Sequence, residues 1–234
     1  MSSGRGPVWE SGRGELALPV VQERGKLTLE RLLDAAEQML DFVGLEGATV
    51  PAIAAGAGVS VGNLYKRFPD KDSLLRAVYD RFFGDILAAN QFALDPEKWT
   101  GTPTIELLTT VVAEMVDGYR SRRSLIRALL LYAETHPDSE FRERAEKLRL
   151  ESLQLFESLL RERRSDIAHP QPERAIRFVV VLIGHALQSS VVSETGTRDL
   201  LSSGSETTGE LARIAVGYLR IKGTERPRVV SHSR

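Results

Sequence analysis

Two short helix signals joined by a glycine turn, between residues 49 and 71, constrain the fold more than any other feature. The segment reads TVPAIAAGAGVSVGNLYKRFPDK. Thr49 and Ser60 stand where a side chain can accept a hydrogen bond from the free N–H groups of a following helix. A Gly-Ala-Gly stretch ends the first helix, and Pro69 ends the second. Two short helices separated by a tight glycine-containing turn predict a helix-turn-helix.

The remainder of the chain also carries helical periodicity, and no segment reads as a convincing strand. Thr28 is the predicted N-cap of the first helix, which glycines at 44 and 47 end. Asp70 is predicted to cap a helix that ends near residue 90. Further helices are predicted at residues 103–120, 124–135, 138–164, 172–194 and 206–221. We therefore expect an all-α fold with an N-terminal three-helix unit and a C-terminal helical bundle.

The domain boundaries follow changes in composition along the chain. Residues 1–26 are rich in Gly, Ser and Arg without periodicity, and are predicted to form a disordered arm. The helix-turn-helix domain is expected at 27–80 and the helical bundle at 81–222. Residues 223–234 are predicted to be a flexible tail.

Composition limits the classes of protein to which the chain can belong. The 234 residues contain no cysteine, which excludes disulfides, thiolate metal sites and cysteine nucleophiles and fits a reducing cytoplasm. The N-terminus lacks the apolar segment of a signal peptide, and the longest apolar run, 178–187, is too short to span a bilayer. We expect a cytoplasmic protein without membrane contact. The net charge of −1 gives no global field that would favour nucleic acid.

Motifs for catalysis, metals and cofactors are missing from the sequence. The glycines at 56, 58 and 62 are spaced one residue too far apart for a dinucleotide-binding loop, and no strand precedes them. The four histidines share no metal-ligand spacing. No nucleophile motif or paired-carboxylate signature appears. We predict no enzyme activity, no cofactor and no metal.

The second helix of the predicted motif has one apolar face and one polar, cationic face. Ile53, Ala54, Val59, Leu64 and Phe68 are expected to form the core of the motif. The other face carries Val61, Asn63, Lys66 and Arg67, with Tyr65 at the boundary and most of its ring in the core. Asn can pair with adenine edges, and Lys or Arg with guanine or phosphate, so this face suits a DNA major groove.

The same residues resemble the DNA-binding segment of the TetR family of bacterial transcriptional repressors. The match runs over about residues 28–83 and includes T49, I53, A54, the run AGVS at 57–60, G62, LY at 64–65, F68, K71 and L74. The resemblance implies binding to a double-stranded DNA operator through Thr49, Ser60, Val61, Gly62, Asn63, Tyr65, Lys66, Arg67 and Lys71. Val61, Asn63 and Lys66 would face bases, and Thr49, Tyr65, Arg67 and Lys71 would contact phosphates. Arg67 stands where the family usually has histidine or tyrosine, and Val61 stands where a polar or basic residue is common.

The resemblance also implies a homodimer and a small-molecule effector, largely apolar, that binds inside the bundle. The expected pocket residues are Trp99, Met115, Tyr119, Leu129, Tyr132, His136, Phe156, Phe178 and His185. The expected dimer residues are Ala175, Val179, Leu182, Gly184, Ala186, Leu211, Ile214, Ala215 and Tyr218. Such a protein would be a dimeric repressor released from a palindromic operator by its effector.

Two other functional classes remain open from the residues alone. A helical adaptor without DNA binding would explain the near-neutral charge but not the pattern from Gly58 to Lys71. An α-helical enzyme with a site assembled from distant residues has no motif in its favour.

Overall fold

The computed structural model describes residues 17–192 and 204–222. Within these ranges the chain forms nine α-helices, with 3-10 turns at Pro96–Trp99 and Arg164–Asp166 and an isolated bridge between Ile167 and Ile221 as the only extended pairing. The helices are α1 (Ala17–Gly47), α2 (Val50–Gly56), α3 (Val61–Arg67), α4 (Lys71–Ala93), α5 (Thr104–Ser121), α6 (Arg123–Thr135), α7 (Ser139–Glu162), α8 (Pro172–Val192) and α9 (Gly204–Leu219). The expected all-α fold is confirmed.

Helix α1 begins ten residues before the predicted end of the arm. Pro19 lies in its first turn, where the missing N–H has no helical partner to lose. Gly25 is tolerated inside the helix at a cost of about 1 kcal/mol. Thr28 is not the N-cap: its hydroxyl donates to the Arg24 carbonyl oxygen at 2.8 Å, within the helix. The arm was therefore predicted too long, and its residues 1–16, like the predicted tail at 223–234, lie outside the described residues.

The helix boundaries between residues 44 and 71 follow their predicted caps. Gly44 leaves the helical conformation near the end of α1, with φ +71°. The Thr49 hydroxyl caps α2 and the Ser60 hydroxyl caps α3, accepting from the Asn63 N–H at 3.2 Å. Asp70 accepts from the Ser73 N–H at 2.7 Å at the start of α4. Local chemistry thus sets these boundaries, as predicted.

The described residues cluster into two compact units, the first ending at Val78 and the second beginning at Tyr79. In the first unit α1 packs on α2 and α2 on α3. Its core includes Leu33, Leu40, Ile53, Ala54, Leu64 and Phe68, which are all buried, while Val59 is half-buried. The predicted core of the helix-turn-helix is therefore present.

In the second unit α8 is the central helix and packs against α5, α6, α7 and α9. It is the one helix, within the part of the chain that is described, long and apolar enough to cross a membrane by length and composition alone. Half of its most apolar window is buried inside the bundle. These neighbours account for its hydrophobicity as that of a core helix.

Candidate nucleic-acid interface, cavity and pairing face

The turn between α2 and α3 depends on Gly58. Its φ is +67°, in the left-handed region that L side chains rarely adopt. The Gly58 N–H donates to the Ala55 carbonyl oxygen and the Val59 N–H to that of Ala54, both at 3.0 Å. These bonds satisfy carbonyls at the end of α2 and direct the chain into α3. Gly58 therefore holds the corner of the helix-turn-helix.

Helix α3 presents most of its surface to solvent. Leu64 is fully buried and anchors the helix on the core, while its other six residues, Val61, Gly62, Asn63, Tyr65, Lys66 and Arg67, are exposed. Tyr65 is 48% exposed and is not a core residue, contrary to the prediction that most of its ring lies in the core. The ring sits at the boundary of the exposed face because position 65 follows the anchoring Leu64. Thr49 and Ser60 are exposed as well, at the N-termini of the two helices.

Gly62 has no structural reason to be glycine within the first unit. Its φ lies outside the left-handed region, and a Cβ added there would meet only the Ser60 hydroxyl oxygen, at 4.0 Å. Glycine inside a helix costs roughly 0.5–1 kcal/mol relative to alanine. A bare backbone is thus presented to solvent at the middle of the exposed face.

The two cations in the last turn of α3 have no carboxylate partner among the described residues. Lys66 and Arg67 are both exposed. The Arg67 guanidinium extends toward α1, and a Cβ built on Gly25 would lie 3.4 Å from its Nη2. Exposed, uncompensated cations beside a polar helix face suit phosphate oxygens.

Lys71 has a different position from the one predicted. Its ammonium donates to the Leu45 carbonyl oxygen at 3.0 Å, and the side chain is partly buried. The bond ties the first turn of α4 to the end of α1, because carbonyls near the kink at Gly44 lack helical partners. The expected phosphate contact of Lys71 is therefore replaced by an internal contact in this structure.

The structure places the nine expected pocket residues in different environments. Leu129, Tyr132, His136 and Phe156 are buried core, with the His136 ring 4.7 Å from that of Phe141. Phe178 and His185 are exposed on α8, and the Trp99 indole N–H donates to the Ala93 carbonyl oxygen. Met115 and Tyr119 are half-buried on α5. Aromatic residues were chosen from sequence because they are common in pockets, but the same residues also fill helical cores.

The bundle instead contains a cavity of about 310 Å³ between α4, α6, α7 and α8. Its lining residues are Tyr79, Leu130, Ala133, Glu134, Arg142, Ala145, Glu146, Arg149 and Gln188. None of them was predicted from the sequence, because charged residues on α7 read as a solvated helix face. In the sequence, the only signal was their helical spacing on α7, at 142, 145, 146 and 149.

The expected dimer residues divide into two groups. Ala175, Val179, Gly184, Leu211 and Ala215 are buried within the chain's own bundle, so their prediction as partner contacts was wrong. Gly184 allows close packing of α8 on α7, since a Cβ there would lie 2.9 Å from a Leu153 methyl. Leu182, Ile214 and Tyr218 are exposed, and Ala186 is half-buried.

An exposed apolar face, here called the α8–α9 face, combines the three exposed members of the second group with two residues that the sequence did not suggest for it. It consists of Phe178, Val181, Leu182, Ile214 and Tyr218, each between 36% and 51% exposed. The Phe178 and Tyr218 ring centroids are 5.2 Å apart, which joins the two helices into one surface. Contiguous apolar surface of this kind marks interaction sites.

Comparison with known proteins relates the helix-turn-helix segment to a family of bacterial regulators and the longer chain to one regulator. A family model described as "Bacterial regulatory proteins, tetR family" matches residues 32–78. The HTH-type transcriptional repressor DrrR1 of Streptomyces coeruleorubidus is 36% identical over 74 residues, which span 32% of this chain and 26% of that repressor. The HTH-type transcriptional regulator BetI of Stenotrophomonas maltophilia is 28% identical over 81% of this chain and 90% of its own length.

The fold extends the likeness through the bundle. A solved bacterial regulatory protein of the tetR family from Rhodococcus RHA1 superposes with a TM-score of 0.62 at 18% identity, over 82% of this chain and 96% of that one. The matched family and both relatives are regulators and not enzymes, in agreement with the sequence prediction. The helix-turn-helix at residues 50–67 lies inside the segment that matches the TetR family of bacterial transcriptional regulators, and the bundle shares the fold of a solved regulator of that family.

Proposed function

We propose that the chain is a dimeric repressor that binds a palindromic DNA operator and is released from it by a small molecule. The observation that carries this proposal is the outer face of α3: six of its seven residues are exposed around a single buried Leu64. A helix placed this way by a glycine turn fits a major groove.

Residue roles follow from position on the two helices. Val61, Asn63 and Lys66 would address base edges: Asn63 an adenine, Lys66 a guanine or phosphate, and Val61 a thymine methyl. Gly62 would let the backbone approach the DNA closely. Phosphates would be contacted by Thr49 and Ser60 at the helix N-termini, and by Tyr65 and Arg67 on α3. Lys71 would then support the interface indirectly, by holding α4 against the end of α1.

The α8–α9 face would pair with the same face of a second copy. A two-fold dimer uses one self-complementary patch on each subunit, and it presents two reading helices to two half-sites. The apolar character of the five residues on this face supports such a use.

A ligand in the bundle cavity would control DNA binding through α4. This helix belongs to both units, with residues 71–78 in the first and 79–93 in the second. A shift of α4 at Tyr79, which lines the cavity, would be carried along the helix toward the DNA-binding unit. A coupling free energy of about 1–3 kcal/mol is typical and would change DNA affinity by roughly 5- to 150-fold.

The test is footprinting of the full-length protein on the DNA upstream of its own gene, followed by affinity measurements across salt concentrations. We expect a protected palindrome and a strong decrease of affinity with salt. Arg67→Ala should lower affinity and reduce the slope of log K against log salt by about 1. Arg161→Ala, which removes an exposed arginine on α7 that pairs with Glu157 and Glu173, is the matched control and should change neither.

A failure to protect any DNA sequence would contradict the proposal and favour the helical adaptor. Replacement of Asn63 provides the second check, because loss of one base contact should relax preference at one operator position. An unchanged sequence profile for Asn63→Ala would remove that residue from base readout.

A further inference from the structure

The cavity between α4, α6, α7 and α8 has a wall that is polar along one side. Leu130, Ala133 and Ala145 supply its apolar surface, while Glu134, Glu146, Arg142, Arg149 and Gln188 supply charged and amide groups. A largely apolar effector would displace water from these polar groups without giving them partners, which is costly. The composition of the wall therefore indicates a ligand with a polar or charged group.

The two arginines of the wall differ in what they already bind. Arg142 donates to the carbonyl oxygens of His136 and Pro137 and so stabilises the corner between α6 and α7. Arg149 has a side chain only 22% exposed, and its contact is the carboxylate of Glu146, one turn earlier on the same helix and 52% exposed. A guanidinium has five N–H donors, so most of those of Arg149 remain unused by this pair.

The positive charge of Arg149 acts on two neighbouring phenols. Burial raises the pKa of both Tyr79 and Tyr119; the Arg149 charge opposes that rise in each case, while the charges of Glu146 and Asp80 add to it for Tyr79. Arg149 thus acts as a positive charge next to two neutral phenols in a partly desolvated site. Glu146, facing solvent, is a counter-ion that an incoming anion can replace, because exposed ion pairs of this kind contribute little stability.

The size of the cavity limits the ligand further. A volume of about 310 Å³ lies at the lower end of the usual range for ligand pockets, roughly 300–1,000 Å³. A planar carboxylate matches the fork of a guanidinium in a bidentate arrangement. Gln188 of α8 lies on the same wall and can donate or accept at a second polar group of the ligand.

We propose that the effector is a small organic carboxylate whose carboxylate group binds Arg149 and whose apolar part lies against Leu130, Ala133 and Ala145. The role of this ligand as an effector rests on the proposed function, whereas its binding depends on the residues of this cavity alone. It replaces the largely apolar effector expected from the sequence.

The experiment measures binding to the full-length protein without DNA, by calorimetry and by NMR of arginine side-chain N–H groups. Three probes of matched shape are compared: phenylacetate, the neutral 2-phenylacetamide and the cationic phenethylamine. We expect phenylacetate to bind at least about tenfold more tightly than the other two and to shift the Arg149 Nε–H signal. Arg149→Met should weaken phenylacetate binding by roughly 10- to 150-fold, and Arg149→Lys should restore part of it.

Arg161→Met is the matched control, since Arg161 also pairs with a glutamate one turn earlier on α7 but does not line the cavity. It should leave phenylacetate binding unchanged. Binding of the amide or the amine as tight as that of phenylacetate would overturn the proposal, as would no phenylacetate binding at about 20 mM. The signal of Arg149 in the wild-type protein provides a readout that does not depend on the folding of any variant. Because no DNA is present, a failed operator footprint would leave this result unaffected.

Discussion

Two glycines in the helix-turn-helix have opposite structural causes. Gly58 adopts φ +67°, so its backbone requires glycine. Gly62 adopts a conformation that any residue can adopt, with free space where a Cβ would be. The fold therefore explains Gly58, whereas no contact among the described residues requires glycine at position 62.

Gly62→Ala should change stability and DNA affinity in opposite directions. The added methyl group contacts only the Ser60 hydroxyl at 4.0 Å and lowers the entropy of the unfolded chain, so the free energy of unfolding should rise by about 0.5–1 kcal/mol. Operator affinity should fall about tenfold or more, because the methyl group occupies space needed by DNA. Urea unfolding and binding titrations measure the two effects.

Gly58→Ala is the matched control for that substitution. A methyl group in a left-handed backbone should destabilise the motif by about 1–2 kcal/mol, although the space around Gly58 is also open. Unchanged DNA affinity for Gly62→Ala would show that the backbone of α3 does not approach the operator closely.

Single-residue roles could be predicted from sequence where a local contact decides them. Thr49, Ser60 and Asp70 act as caps because the cap and its N–H partners are at most three residues apart. Lys71 could not be predicted in this way, because its partner, the Leu45 carbonyl, lies twenty-six positions away. The bond exists only once the kink at Gly44 has brought the end of α1 beside α4.

At the level of elements, the C-terminus of α8 is held by arginines of α6. The Arg123 guanidinium donates to the Ser190 carbonyl oxygen at 2.8 Å, and that of Arg127 to the Val192 carbonyl oxygen at 3.5 Å. Carbonyls in the last turn of a helix lack N–H partners and carry partial negative charge. The two cations therefore stabilise the end of the central helix of the bundle.

Arg123→Met should lower the free energy of unfolding by about 1–2 kcal/mol, since it leaves the Ser190 carbonyl in a buried site without its donor. The melting temperature should fall by roughly 2–8 °C in calorimetry. Arg213→Met is the control, because Arg213 is 74% exposed and pairs with Glu210 of its own helix. Equal melting temperatures for the Arg123 variant and the wild type would rule out this capping role.

Helix positions were predictable from sequence to within a few residues, except at the start of α1, but the burial of their faces was not. Helix α8 is apolar nearly all round, so its pattern does not distinguish the side that meets α7 from the side that faces solvent. For this reason Gly184, expected at the dimer interface, packs on Leu153 instead, while Val181, which the sequence did not single out, is exposed. Packing partners distant in sequence decide the face.

For the molecule as a whole, two tyrosines make stability depend on alkaline pH. Burial raises the pKa of Tyr79, which is fully buried and donates to the Ala145 carbonyl oxygen, and also that of Tyr119. The unfolded chain loses these protons from about pH 10, whereas the folded chain keeps them to higher pH. Their contribution is therefore complete below about pH 10 and is lost as the pH rises further.

Urea unfolding at several pH values between about 8 and 11 should show a free energy of unfolding that falls above about pH 10. Each tyrosine contributes a slope of up to about 1.4 kcal/mol per pH unit. Tyr79→Phe and Tyr119→Phe should each reduce the slope, and the double variant should reduce it further. A slope unaffected by both substitutions would contradict the assignment to these phenols.

The proposed pairing through the α8–α9 face can be tested by placing charges on it. The double variant Val181→Glu, Ile214→Glu places two charges in that face. In the wild-type protein Val181 is 36% exposed and Ile214 is 46% exposed. Burying unpaired charges at a dimer interface is strongly unfavourable, so the variant should be a monomer at about 10 μM in sedimentation. Its operator affinity should fall by roughly 10²- to 10⁴-fold, because the two reading helices no longer act on linked half-sites.

Leu150→Glu is the control for this pairing test, since Leu150 is a similarly exposed leucine (40%) that lies on α7 and is not part of the α8–α9 face. It should remain a dimer with wild-type operator affinity. A wild-type monomer at the same concentration, or a double variant that still sediments as a dimer, would contradict pairing through this face. Dissociation of the dimer removes the linkage between half-sites but leaves α3 intact, so the monomer should still bind a single half-site weakly. That residual affinity distinguishes loss of pairing from loss of folding.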